Sequence, residues 1–216
     1  MMDSFTHYFK SSRSPGNRSG SPGRWLLICV LGLLASYSAL AQSTAEIAQV
    51  RFERSDEDVF LTAEVHFDLP PVVEDALLKG IPMVFVMSAD TLRERWYWYD
   101  KKITTTERYF RLAYQPLTRR WRLNLSSGPA AANTVGLALN QSYDELAQAL
   151  SAIKRISKWK IAAVADFESS VKYRAELRFR LDLTQLPRPF QIGTLGQTDW
   201  DISASAVLPF SLEIVK

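Results

Sequence analysis

Apolar and polar residues alternate with a period of two along much of the chain after residue 41. The segment 59–69 shows this most clearly, because every odd-numbered residue in it is apolar. Successive side chains of a β-strand point to opposite faces, so the pattern predicts a strand with one buried face. Just before it, Ala48, Val50 and Phe52 share one face, and the acidic stretch SDED separates the two segments. We therefore expect a β-hairpin.

Two segments predict short helices. Residues 72–80 follow Pro70 and Pro71 and end at Gly80, as helices that begin after proline and close at glycine do. Residues 142–153 form the second predicted helix, with Ser142 as its N-cap and Glu145 three residues later.

Most of the remaining segments predict strands, again from their alternation. The predicted strands cover residues 81–90, 93–103, 106–116, 119–126, 171–183 and about 201–213. The four that lie between residues 81 and 126 follow one another so closely that we expect an antiparallel meander. The chain from residue 42 to residue 216 thus predicts a single all-β domain, an antiparallel two-sheet sandwich with two short helices.

Residues 1–41 predict a signal peptide. Lys10, Arg13 and two further arginines precede the apolar run WLLICVLGLLA, and Ala39-Leu40-Ala41 matches a small-x-small cleavage site. The apolar run is shorter than the roughly 20 residues that a spanning helix needs. We expect cleavage after Ala41 and a periplasmic protein. The alternative is an inner-membrane anchor formed by residues 25–41, and only a retained anchor would give membrane contact.

The predicted leader also accounts for the basic character of the whole chain. It contains four of the 26 Lys and Arg residues but one of the 23 Asp and Glu residues, which leaves 22 of each sign afterwards. A neutral domain gives no support for nucleic-acid binding, which depends on a positive field. The single cysteine, Cys29, lies in the apolar run, so we expect neither a disulfide nor a thiolate metal site in the domain.

Few residues after the leader suggest catalysis. His66 is the one histidine there, on the polar side of a predicted strand, which excludes a two-histidine metal site. Asp199 and Asp201 flank Trp200, and in an extended segment their carboxylates would lie on one side of the chain. Such a pair could serve a carboxylate-dependent hydrolase or bind a cation. A turn followed by a strand start also explains them. We expect no catalytic residue, no metal and no cofactor.

The most unusual stretch is RERWYWYDKK, residues 93–102. As a strand it places Trp96 and Trp98 on one face, with Tyr97 and Tyr99 on the other. The tryptophans suit a core and the tyrosines a solvated face. The functional alternative is an aromatic and basic platform for a partner protein, a glycan or a lipid head group. We take its candidate binding residues to be Tyr97, Tyr99, Arg95 and Arg111.

Four segments together give a family resemblance: LPPVVEDALLKGIPMVF, RERWYWYDKK, YQPLTRRWRL and LPRPFQIGTLGQTDWDIS. In that order the chain resembles the domain-of-unknown-function family numbered 4390, exported proteins of Gram-negative bacteria. The resemblance implies a class and a compartment, but no activity and no ligand residues. Genes of the family tend to lie near a membrane sensor kinase of the nitrogen-response type, which suggests a partner by association only.

Together these observations predict an uncharacterised exported envelope protein that acts as a non-catalytic binding or protein-interaction module. The alternatives are a carboxylate-dependent hydrolase and a glycan- or lipid-binding module. The binding module and the hydrolase differ in whether carboxylates such as Asp199 and Asp201 are needed for function.

Overall fold

A computed structural model describes residues 45–95, 100–128, 139–168, 171–188, 190 and 200–210. The strands in these residues are β1 Ala45–Arg54, β2 Asp58–Phe67, β3 Met83–Arg93, β4 Lys101–Gln115, β5 Arg120–Ser126, β6 Leu139–Tyr143, β7 Arg155–Ala163, β8 Tyr173–Leu181 and β9 Ser203–Phe210. The helices are α1 Pro71–Leu78 and α2 Leu146–Lys154.

The strands form two antiparallel sheets. The small sheet has the order β1-β2-β7, and the large sheet has the order β6-β5-β4-β3-β8-β9. The sheets pack face to face, so the predicted all-β sandwich with two short helices is confirmed. Its core joins the two sheets directly, because the Phe67 ring of β2 lies 5.5 Å from the Phe85 ring of β3 and 5.2 Å from the Phe179 ring of β8.

Strand β1 contains a bulge that the alternation did not predict. The pairing of β1 with β2 shifts between Ala48 and Arg51, and Gln49 there has a φ of 50°. Ile47 therefore faces the core before the bulge, and Val50 and Phe52 pack against the core after it. Ala48 pairs with Glu64, on the outer face, so the prediction that it shares a face with Val50 is wrong.

Gly80 ends α1 as predicted. Its N–H donates to the Leu77 carbonyl at 2.8 Å, and the N–H of Ile81 donates to the Ala76 carbonyl at 3.1 Å. These are the two bonds of a Schellman motif, whose C′ residue is left-handed, and the φ of Gly80 is 84°. No helix within the described residues is long and apolar enough to span a membrane.

Two local predictions are wrong. Arg93 at the end of β3 pairs with Lys101 at the start of β4, so the two ends of the predicted strand 93–103 belong to different strands. The described residues between 81 and 126 form three strands, one fewer than predicted. Ser142 pairs with Arg122 inside β6, and α2 instead begins after Glu145, whose side chain makes no capping bond.

Candidate functional site

The predicted aromatic and basic platform falls partly outside the described residues. Trp96, Tyr97, Trp98 and Tyr99 lie outside them. Arg95 is exposed just beyond the end of β3, where its backbone N–H donates to the Asp100 carboxylate at 3.3 Å. The contribution of the two tyrosines to binding stays a prediction.

Arg111, the fourth predicted binding residue, lies at the far end of the same hairpin. It is half-buried in β4 and pairs with Val84 near the start of β3. Arg95, in contrast, lies two residues beyond Arg93, the last residue of β3. The nine residue-to-residue steps from Val84 to Arg93 span about 30 Å at the usual rise of a strand. The structure therefore does not bring Arg111 to Arg95.

Three arginines on the outer face of the large sheet have acidic partners. The Arg174 guanidinium lies 2.6 Å from the Asp100 carboxylate and 3.3 Å from that of Glu176. Arg178 lies 2.9 Å from Glu176, and Arg180 lies 3.5 Å from Asp182. The charges of these three arginines are thus largely compensated within their own face.

Asp90 is a buried carboxylate of this face. Its carboxylate accepts hydrogen bonds from Thr105 Oγ1 at 2.7 Å and from Lys102 Nζ at 2.9 Å. Burial alone would raise the pKa of Asp90, but the bonds from Thr105 and Lys102, with the charges of Lys102 and Arg178, lower it overall. Asp90 is therefore held ionised as a structural anion rather than poised as a proton donor.

An open groove of about 820 Å³ lies where β7 of the small sheet approaches β4 and β5 of the large sheet. We call it the inter-sheet groove. Its lining residues are 104–106, 108, 125–127, 139, 158–163 and 166. A smaller cleft of about 420 Å³ adjoins it and shares Arg108, Leu125 and Leu139. Together they are large enough for a small-molecule ligand.

Two threonines connect the walls of the groove. Thr106 Oγ1 donates to the Ile161 carbonyl at 2.9 Å, and Thr104 Oγ1 lies 3.3 Å from the same oxygen. These bonds run from β4 to β7 and satisfy a carbonyl that would otherwise have no partner at the sheet edge. They set the separation of the two sheets at the groove.

Arg108 is the central charge of the groove. It is half-buried, and its guanidinium lies 5.1 Å from the centroid of the buried Trp159 ring. Burial lowers the pKa of Arg108. Desolvation of this kind is unfavourable unless an anion or an aromatic face compensates for it.

Two neighbouring cations of β7 have acidic partners, and Arg108 does not. Lys160 lies 2.7 Å from the Asp58 carboxylate, and Arg155 lies 3.9 Å from that of Glu64. Within the described part of the chain, no carboxylate lies within ion-pair distance of Arg108. The groove therefore contains a partly desolvated guanidinium whose charge no acidic side chain there balances.

Sequence reasoning missed Arg108, although the sequence contained the information. Phe110 and Leu112 are buried on the core face of β4. Counting back in steps of two gives Arg108, Thr106 and Thr104 on that same face. Polar residues at three successive inward positions mark a place where the core ends and a polar cleft begins.

The hydrolase alternative gains no geometry from the structure. Asp201 is exposed, and Asp199 lies outside the described residues. A search of the described part of the chain finds no group of three or more metal-ligating side chains. His66 is an exposed strand residue, as predicted.

The fold and groove define the class of protein as an antiparallel β-sandwich with an open, partly basic cleft between its sheets. A family model described as a domain of unknown function, DUF4390, matches residues 42–208, so the chain belongs to that family. The suspected family is thereby confirmed. The comparisons with curated proteins and with solved structures give no match.

Proposed function

We propose that this protein is a non-catalytic binding module of the cell envelope and that its ligand occupies the inter-sheet groove. The observation that supports this most strongly is Arg108, a half-buried cation on the groove wall without an acidic partner in the described residues. The Trp159 ring compensates part of the desolvation of this charge, and an anionic ligand would compensate the remainder. The paired arginines of the outer face give no such reason for binding.

The proposed location rests on the leader. A basic segment, a short apolar run and Ala39-Leu40-Ala41 support export and release into the periplasm. Intact-mass measurement on envelope fractions tests this, and we expect a mature N-terminus at Gln42. A full-length mass retained in washed membranes would instead support an anchor at residues 25–41. The neighbouring sensor kinase is a candidate partner by association only.

Site-specific photo-cross-linking in the producing cell tests the proposed binding site. Ser127 is exposed and lines the groove, so p-benzoylphenylalanine at this position reports on a bound ligand. The matched control places the same label at Val207, which is 60% exposed on β9 of the large sheet. We expect an adduct in the intact mass from position 127 and none from position 207. No adduct from Ser127, or an adduct from Val207 alone, would contradict the proposal.

A further inference from the structure

We propose that the inter-sheet groove binds an amphiphilic anion, in which one carboxylate or phosphate group is joined to an apolar body. Arg108 binds the anionic group. The inference rests on the proposed function, because it names the ligand class of the same site.

The position of Arg108 favours a planar or tetrahedral oxyanion. Its guanidinium carbon lies 5.1 Å from the centroid of the Trp159 ring, so the aromatic face compensates part of the charge without taking up the hydrogen-bonding capacity of the N–H groups. No acceptor in the described residues takes a hydrogen bond from this side chain. A guanidinium edge presents two parallel N–H groups, which match two oxygens of a carboxylate or a phosphate.

The remainder of the groove suits an apolar body. Leu125 and Leu139 line both clefts beside Arg108, and Ile161 and Ala162 line the larger one. Leu139 is 62% exposed and pairs with Leu125 of β5, so the two leucines together present apolar surface to the groove. An alkyl chain extending from an anion on Arg108 would cover these leucines.

The charge distribution favours a single anionic group. Lys158 adds a second cation to the lining, but Asp166 adds a carboxylate, which accepts the Ala163 N–H at 3.0 Å. A polyanion would meet repulsion from Asp166, whereas one oxyanion at Arg108 avoids it. The positive charge of Lys160 is already balanced by Asp58.

Calorimetric titration of the full chain with four matched probes tests the ligand class, with every probe below its micelle concentration. Decanoate and decyl phosphate carry both features, decanol lacks the charge, and inorganic phosphate lacks the apolar body. We expect the two anionic amphiphiles to bind about tenfold or more tightly than decanol or inorganic phosphate. The ratio of decanoate to decyl phosphate identifies which oxyanion is preferred. Decanol binding as tightly as decanoate would overturn the proposal.

Variants then locate the anion. Arg108→Gln should weaken decyl phosphate binding about tenfold, and Arg108→Lys, which keeps the charge without the paired N–H groups, should weaken it less. The control is Arg111→Gln, on the opposite face of β4, which should change the affinity less than about twofold, because it lies outside the groove lining. Unchanged binding by a folded Arg108→Gln variant would overturn the assignment of Arg108.

The outcomes separate this inference from the function on which it rests. A ligand captured at Ser127 together with no binding of either anionic amphiphile would leave the proposed function intact and overturn the ligand class. No capture at Ser127, with decyl phosphate bound equally by the wild type and by Arg108→Gln, would overturn both.

Discussion

The two threonines that join the walls of the groove allow a quantitative test of how the groove is held open. The Ile161 carbonyl accepts the Thr106 hydroxyl at 2.9 Å and the Thr104 hydroxyl at 3.3 Å. Ile161 is only 2% exposed, so water has little access to replace a lost partner. Valine has nearly the shape of threonine, and each Thr→Val change therefore removes a hydrogen bond while keeping most of the packing.

The expected costs follow from the number of bonds that remain. Thr106→Val leaves the carbonyl with Thr104, so we expect a loss of about 1 kcal/mol in the free energy of unfolding. The double variant Thr104→Val/Thr106→Val leaves the buried carbonyl unpaired, and we expect a total loss of about 2–4 kcal/mol. The double variant also removes the hydrogen bond between the hydroxyls of Thr104 and Thr91, which are 3.0 Å apart. We therefore expect a loss near the upper end of this range.

The measurement is urea unfolding of the wild type, the two single variants and the double variant. The slope of the unfolding free energy against urea concentration should be the same for all four proteins. Thr118→Val is the control, because Thr118 is exposed in a turn and should change stability by less than about 0.5 kcal/mol. A double variant no less stable than Thr106→Val alone would show that the carbonyl does not depend on this pair, and the reasoning would be refuted.

Three further predictions concern the rest of the sandwich. The pKa of Asp90 is lowered from 3.8, so its ionised carboxylate should stabilise the fold at neutral pH and lose this effect as pH falls below that value. In acid unfolding, the difference in stability between the wild type and Asp90→Asn should therefore shrink as pH falls. Burial first, then Glu107, raises the pKa of Tyr109 to about 12, so the stabilising effect of its neutral hydroxyl should be present below pH 10 and lost as pH rises. Tyr109→Phe should therefore lose less stability than the wild type between neutral and alkaline pH. Gly80→Ala should cost about 1 kcal/mol by thermal unfolding, because the φ of 84° is strained for alanine although space for its Cβ exists.

The fold was largely predictable because alternation determines which residues face inward. In β8, all five odd-numbered residues are buried, as the sequence indicated. The predictions failed where one residue changed the phase, as at Gln49 in β1, since a bulge has little sequence signature apart from its effect on pairing. The predicted strand 93–103 was wrong for a related reason. Aromatic residues favour strands locally, and only the pairing of Arg93 with Lys101 shows that the two ends of this segment belong to different strands.

The candidate site was less predictable than the fold. Arg95 and Arg111 were grouped by residue type, and only the strand register separates them by the length of a hairpin. The groove depends on how β7 lies against β4, a contact between segments some 50 residues apart that no local pattern encodes. The polar inward positions of β4 indicated that something interrupts the core there, but they could not identify Trp159 as the partner of Arg108.

The central claim is that the inter-sheet groove is the binding site. Backbone amide NMR shifts of the full chain, recorded as decyl phosphate is added, test it most directly. The account predicts that the largest shifts occur at residues 104–106 and 108 of β4 and 158–163 of β7, which line the groove. Shifts confined to the outer face of β3 and β8, around Asp90 and Arg178, with residues 104–106, 108 and 158–163 unmoved, would contradict it.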